Sequence, residues 1–141
     1  MRFSLAFLSA LTAISNGWRL TGYETDEECN VSTGRYRIME STDNPSEDCQ
    51  RFGYPNEHLT CAQYENGGVE GPNDCGAAIW NPRSVLVEGT TLQDEQCYSC
   101  KLFSDDHCGK EWKDTSKDGE GCYELGLGAK SFICKHDEWA C

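Results

Sequence analysis

Cys97-Tyr-Ser-Cys100-Lys-Leu-Phe103-Ser-Asp105-Asp106-His107-Cys108-Gly109-Lys-Glu-Trp112 opens the stretch that decides the fold, and Gly121-Cys122-Tyr-Glu-Leu125-Gly126-Leu-Gly-Ala-Lys-Ser131-Phe132-Ile-Cys134 closes it. Tyr98, Cys100 and Leu102 alternate with Ser99, Lys101 and Phe103, the period of a strand whose two faces meet different surroundings. Trp112 marks a second strand, Tyr123 and Leu125 a third, and Phe132 with Cys134 a fourth. Glycine turns and half-cystines interrupt every run long enough for a helix, so little or no helix is expected.

Working outward, residues 20–61 carry a weaker copy of the same stretch. Cys49 to Cys61 and Cys122 to Cys134 are both 12 residues apart. Cys49-Gln-Arg-Phe52-Gly53 matches Cys122-Tyr-Glu-Leu125-Gly126, and Cys29 and Cys108 each follow an aspartate three residues back (Asp26 and Asp105). Leu59 falls on Phe132. The first intervals differ, 20 residues against 14, a difference that a loop absorbs. Two copies of a four-stranded unit, each unable to bury its own face alone, predict two packed antiparallel sheets.

The compartment follows from the other end. Arg2 precedes the apolar run Leu5 to Ile14, which is too short to span a bilayer, and Ala13-Ile14-Ser15 has small residues at the positions a signal peptidase reads. Residues 1–15 are expected to be a secretory signal peptide, with cleavage after Ser15 or, as the alternative, Gly17. Ten cysteines (Cys29, Cys49, Cys61, Cys75, Cys97, Cys100, Cys108, Cys122, Cys134, Cys141) then make five disulfides whose connectivity stays open. At roughly 2–4 kcal/mol each, such bridges replace much of a large core. Asn30-Val-Ser32 is an N-glycosylation acceptor, so Asn30 is a candidate glycan site.

Charge removes several function classes. Losing Arg2 takes the basic count from 12 to 11 against 24 acidic residues, so the formal charge moves from −12 to −13. Such a chain repels nucleic-acid backbones and anionic membranes, so neither is an expected partner. The acidic residues are dispersed and read as a solvated surface.

Between the copies, residues 62–96 are rich in turn clusters (Asn66-Gly67-Gly68, Gly71-Pro72-Asn73-Asp74, Asn81-Pro82), with strand candidates only at Ile79-Trp80 and Val85-Leu86-Val87. The expected layout is a first β unit over 16–61, an irregular connection with an edge hairpin over 62–96, and a second β unit over 97–141.

The second unit resembles the Greek-key motif of the βγ-crystallin fold: Phe103, an acidic turn, Cys108-Gly109, Gly121-Cys122 and a Ser131-Phe132-x-Cys134 strand. Gly109 comes one residue early for that pattern, and the first unit has His58 where the serine belongs. The resemblance implies a disulfide-stapled, all-β sandwich of two such units. The family's calcium site is not carried over, because Gly126 to Ser131 lacks its acidic pair. The signal peptide and cysteine density are similar to those of small secreted fungal proteins, many of them effector-like. Some yeast killer toxins share the crystallin fold, which implies a toxin as an alternative.

Chemistry-bearing motifs are few. Cys97-x-x-Cys100 has redox spacing, but in a strand of an oxidising compartment it reads as two half-cystines with different partners. With His107-Cys108 it offers a zinc set only by breaking the disulfide framework, so no metal and no cofactor is expected. Glu57-His58, Asp105-Asp106-His107 and His136-Asp137-Glu138 each offer half of an acid/base pair, the basis of a hydrolase alternative. No catalytic residue is assigned. Trp80 and Trp139 are the candidate exposed binding aromatics. The expected function is non-catalytic binding of an extracellular protein or glycan by a secreted protein.

Overall fold

The computed structural model describes residues 17–24, 28–30, 34–41, 48–54, 59–76, 80–89, 98–115, 121–126 and 128–136. The signal segment 1–15, Cys97, Cys141, His58 and Trp139 lie outside them, as do the side chain of His136 and residues 137–138. Ten strands run through the described chain: β1 (Trp18–Tyr23), β2 (Tyr36–Ser41), β3 (Gln50–Arg51), β4 (Leu59–Glu65), β5 (Glu70–Asp74), β6 (Ser84–Gly89), β7 (Tyr98–Phe103), β8 (Glu111–Asp114), β9 (Gly121–Glu124) and β10 (Ser131–His136). The only helical turn among the described residues is a 3-10 turn at Asn66–Gly68. The fold is all-β, as the alternation in β7 and the glycine punctuation predict.

The strands form two antiparallel sheets, one ordered β5-β4-β2-β1-β6-β9 and the other β3-β10-β7-β8. The third strand of each half sits in the other half's sheet: β3 pairs with β10, and β9 pairs with β6. Exchanging a strand in each direction makes neither half a closed unit. Both therefore depend on one shared core.

That core draws on both sheets, with Leu20, Met39, Val85 and Val87 on one side and Leu102 and Phe132 on the other, all fully buried. Trp18 meets Phe132 edge-to-face at 5.6 Å, and Phe52 packs on the same ring at 4.8 Å. Each such side chain stabilises by about 1.5–3 kcal/mol on burial.

The disulfides follow the exchange. Cys29–Cys122 ties the turn after β1 to the incoming β9, and Cys49–Cys108 ties the incoming β3 to the turn after β7. The two bridges are reciprocal under the alignment that places Cys29 on Cys108 and Cys49 on Cys122. Local bonds repeat with them. Phe52 N–H donates to Lys130 O and Leu125 N–H to Arg83 O, so the matched Phe-Gly and Leu-Gly turns are equivalent in space.

At one point the structural equivalence departs from the sequence alignment. Cys61 does not correspond to Cys134. The counterpart of β10 in the first half is β6, because Tyr23 opposes Ser84 in one sheet as Phe103 opposes Ser131 in the other. The serine missing from the first unit is therefore Ser84, not the position of His58. β4 instead lies beyond β2 at the sheet's outer side, where it forms a hairpin with β5 that Cys61–Cys75 staples. The shared spacing of 12 residues is a coincidence of a cysteine-rich chain.

In β2 the buried face carries Arg37, Met39 and Ser41, and Tyr36 and Ile38 share the other face. Tyr36 is sheltered on the outer face by stacking between Tyr23 (6.0 Å) and Tyr64 (4.8 Å).

Candidate functional site

Tyr23, Tyr36 and Tyr64 form a stacked aromatic row, yet neighbours cover both faces of Tyr36, so the row offers little open ring surface. The site with open surface lies elsewhere, where elements from both halves converge.

It begins at Arg51, the last residue of β3. The chain then turns tightly, with Tyr54 N–H donating to Arg51 O at 3.3 Å. Phe52 points into the core and anchors the turn, while Tyr54 stands 54% exposed. Opposite Arg51 is Ser131, so Lys130 lies beside it at the entry to β10. Lys130 N–H donates to Phe103 O at 2.8 Å, which fixes that wall to β7. Arg51 Nε donates to the Asp106 carbonyl at 3.1 Å and so joins the turn after β7 to the turn after β3.

The result is a cleft of about 400 Å³ lined by Arg51, Tyr54, Trp80, Asn81, Asp106 and Lys130. Neither Lys130 nor Arg51 is in an ion pair among the described residues, and the Arg51 terminal nitrogens have no protein partner there.

The wall behind the cleft is organised by Arg37. Its guanidinium is buried, with Nε donating to Gln63 Oε1 (2.8 Å), Nη1 to Phe52 O (3.2 Å) and Nη2 to Gly76 O (3.4 Å). It lies 5.0 Å from the Trp80 ring centroid, a cation–π contact. The far edge of that indole rests on Gly22, where a Cβ would come within 2.7 Å of the ring. Glycine is required at this point in β1 because the Trp80 ring occupies the space a side chain would fill. The expected exposure of Trp80 is thus corrected. It is 2% exposed, held between Gly22 and Arg37, and meets the cleft only as part of its wall. Desolvation lowers the Arg37 pKa, yet all three of its hydrogen bonds go to neutral acceptors.

The exposed tryptophan of the described chain is Trp112, 44% exposed on β8, with its indole against Gly128. Asn30 is exposed next to Cys29.

Those residues of the motifs singled out for chemistry that the structure describes as bonded have structural employment. Cys100 is bridged to Cys134 and Cys108 to Cys49, which removes the zinc set. No cluster of three or more potential metal ligands occurs among the described residues. Asp105 Oδ1 accepts the Gly109 amide at 2.9 Å, and that bond, ahead of weaker ones from Lys110 and His107, holds its carboxyl below the usual range. The carboxylate therefore braces its own turn. His107 is exposed on the same turn.

Arg51, Tyr54, Asn81 and Lys130 are not conspicuous in the sequence. A signal for two of them exists in the repeat: Arg51 stands where the other copy has Glu124, and Tyr54 where it has Leu127. Positions where two copies differ in charge or aromaticity mark what the frame itself does not need.

Comparison of the chain with protein-family models, curated proteins and solved structures finds no match in any of the three. Among the described residues no helix is long and apolar enough to cross a membrane. The four disulfides among the described residues fit an oxidising compartment.

Proposed function

We propose that the chain is a secreted binding protein that engages an extracellular protein or glycan at the Arg51–Lys130 cleft without transforming it. The observation that carries this reading is the contrast between cleft and frame. Cations with free donor capacity and an exposed ring project from turns that the Cys49–Cys108 bridge and main-chain bonds from both halves hold in place. Walls fixed before binding keep the entropic cost of association low. The strand exchange, the paired serines Ser84 and Ser131 and the matched turns support a frame of two crystallin-like Greek-key units. The resemblance to small secreted fungal proteins supports delivery outside the cell and an effector-like role there.

The test uses the purified, fully oxidised protein against immobilised extracellular glycans and proteins. Arg51→Ala and Tyr54→Ala should weaken binding about tenfold or more, while the unfolding midpoint moves by only a few degrees. The same preparation is incubated with glycan, RNA and peptide substrates. Turnover that disappears in His107→Ala would sink the binding reading in favour of a hydrolase.

A further inference from the structure

The charge of the cleft runs against that of the molecule. The whole chain carries a formal −12, yet the cleft rim sets two cations, Arg51 and Lys130, against one carboxylate, Asp106. Behind its wall Arg37 adds a third positive charge, in contact with Trp80 and in no ion pair among the described residues. Interactions with buried charge are less screened than those at the surface, so this cation contributes to the local potential. An isolated positive site on an acidic protein selects for anions at short range, while the surrounding surface disfavours large polyanions.

The remaining groups narrow the anion. Tyr54 offers an exposed ring, a flat apolar surface with a hydroxyl at its tip. Asn81 supplies an amide that both donates and accepts, and Asp106 supplies acceptors only. This combination suits a ring with hydroxyls on its edges and one carboxylate. The volume of about 400 Å³ lies within the usual range for small-molecule sites, about 300–1,000 Å³. An extended acidic peptide finds less to hold. The strand edge beside the cleft, β3, is two residues long and folds back at Tyr54, so there is no ladder for a peptide to join.

We infer that the cleft binds an acidic sugar, with the carboxylate of a uronic-acid residue between Arg51 and Lys130, a sugar face on Tyr54, and hydroxyls on Asn81 and Asp106. This inference rests on the binding reading above and names its ligand class.

The experiment compares a uronic-acid trisaccharide with the same trisaccharide after its carboxylates are reduced to hydroxymethyl groups, by titration calorimetry on the oxidised protein. The acidic form should bind at least about tenfold more tightly at low salt, and the gap should shrink as ionic strength rises. Arg51→Gln and Lys130→Gln should each cost the acidic trisaccharide about tenfold and leave the neutral one unchanged, whereas Tyr54→Ala weakens both. Equal affinity for the two forms, lost in Tyr54→Ala, would overturn the acidic-sugar inference and leave the binding reading standing. So would cleft-dependent binding of an acidic peptide or a protein with no response to either sugar. Absence of cleft-dependent binding to sugars, peptides and proteins alike would overturn both.

Discussion

The Cys29 amide donates to Ser84 Oγ at 3.2 Å, and the Cys108 amide donates to Ser131 Oγ at the same distance. Both cysteines have a left-handed backbone, φ 53° and 54°, which costs a non-glycine residue about 1–3 kcal/mol. Each hydroxyl thus pins a strained turn to the strand that opens the facing pair. Ser131 is fully buried and also donates to Asp105 O. Ser131→Ala should lower stability by about 1–3 kcal/mol, and Ser84→Ala by a comparable amount, in urea unfolding of the oxidised protein. A cost under about 0.5 kcal/mol for both would show that the bridges alone hold the turns.

Cys100 and Cys134 oppose each other in β7 and β10 at the register where Leu20 and Val87 oppose each other in β1 and β6. All four are buried at 1% exposure or less. One half of the molecule uses a bridge where the other uses two aliphatic side chains. The double change Cys100→Leu with Cys134→Val should therefore keep the fold, losing the cross-link but gaining packing of a kind this site already accommodates. By contrast, Cys29→Ser with Cys122→Ser opens a bridge across 93 residues and leaves β9 held to its host sheet by pairing with β6 alone. On loop-closure entropy alone it should cost about 1–2 kcal/mol more than Cys61→Ser with Cys75→Ser, whose separation is 14. Thermal midpoints of the three double variants would test the ranking. If the Cys61–Cys75 pair proved the most damaging, the hairpin would be integral to the core rather than an addition to it.

The frame was legible where its signals are local. Alternation in β7, the Phe52-Gly53 and Leu125-Gly126 turns and the even cysteine count predict strands, repeat and bridges. Which strand closes the first half was not legible. β4 offers a cysteine at the right spacing, whereas β6 has only Ser84 to identify it, and a lone serine carries no periodic signal. The placing of Trp80 failed for a related reason. Its burial depends on Gly22 and Arg37, 58 and 43 residues away, brought together only by strand pairing. The cleft is less legible still, because Arg51, Asn81 and Lys130 are ordinary surface residues until exchange of β3 sets them side by side.

Gln50 is the least expected core residue. It is 2% exposed in β3, directly opposite Phe132, and neither its amide oxygen nor its nitrogen has a hydrogen-bond partner among the described residues. The equivalent position in the other half is Tyr123. A buried amide without partners costs about 1–3 kcal/mol relative to one that is paired. Gln50→Met, of similar length and without the amide, should raise the urea midpoint by the equivalent of about 1–2 kcal/mol. A lower midpoint would mean that ordered water satisfies the amide.

Asp105 gives the turn after β7 a pH dependence. Its carboxyl is held below the ordinary aspartate value of 3.8, chiefly by the Gly109 amide, so the folded state binds its proton less readily than the unfolded chain. The contribution is complete above the unfolded pKa and is lost as pH falls through the lower, folded one. Carboxyl chemical shifts of Asp105 should titrate with a midpoint below 3.8, and Asp105→Asn should flatten this part of the acid limb. A midpoint at or above that value would remove the carboxylate from any bracing role.

Arg37 makes the strongest demand on geometry. One guanidinium reaches Gln63 on β4, Phe52 O in the turn after β3 and Gly76 O, and also lies over Trp80. Only a planar, multi-donor group meets these directions together; an ammonium concentrates its donors at one point and cannot also stack in this way. Arg37→Lys should therefore behave as a disruptive change. Loss of two or three charge-assisted bonds, with acceptors left buried, predicts a cost of about 2–4 kcal/mol. Because Trp80 lines the cleft and Phe52 anchors the turn that carries Tyr54, ligand affinity should fall with stability, and Trp80 fluorescence should shift as its ring loses the cation. Arg51→Gln separates the two effects, since it changes the cleft without touching the core. An Arg37→Lys protein with unaltered stability and unaltered binding would mean that the frame, and not this side chain, positions the Tyr54 turn.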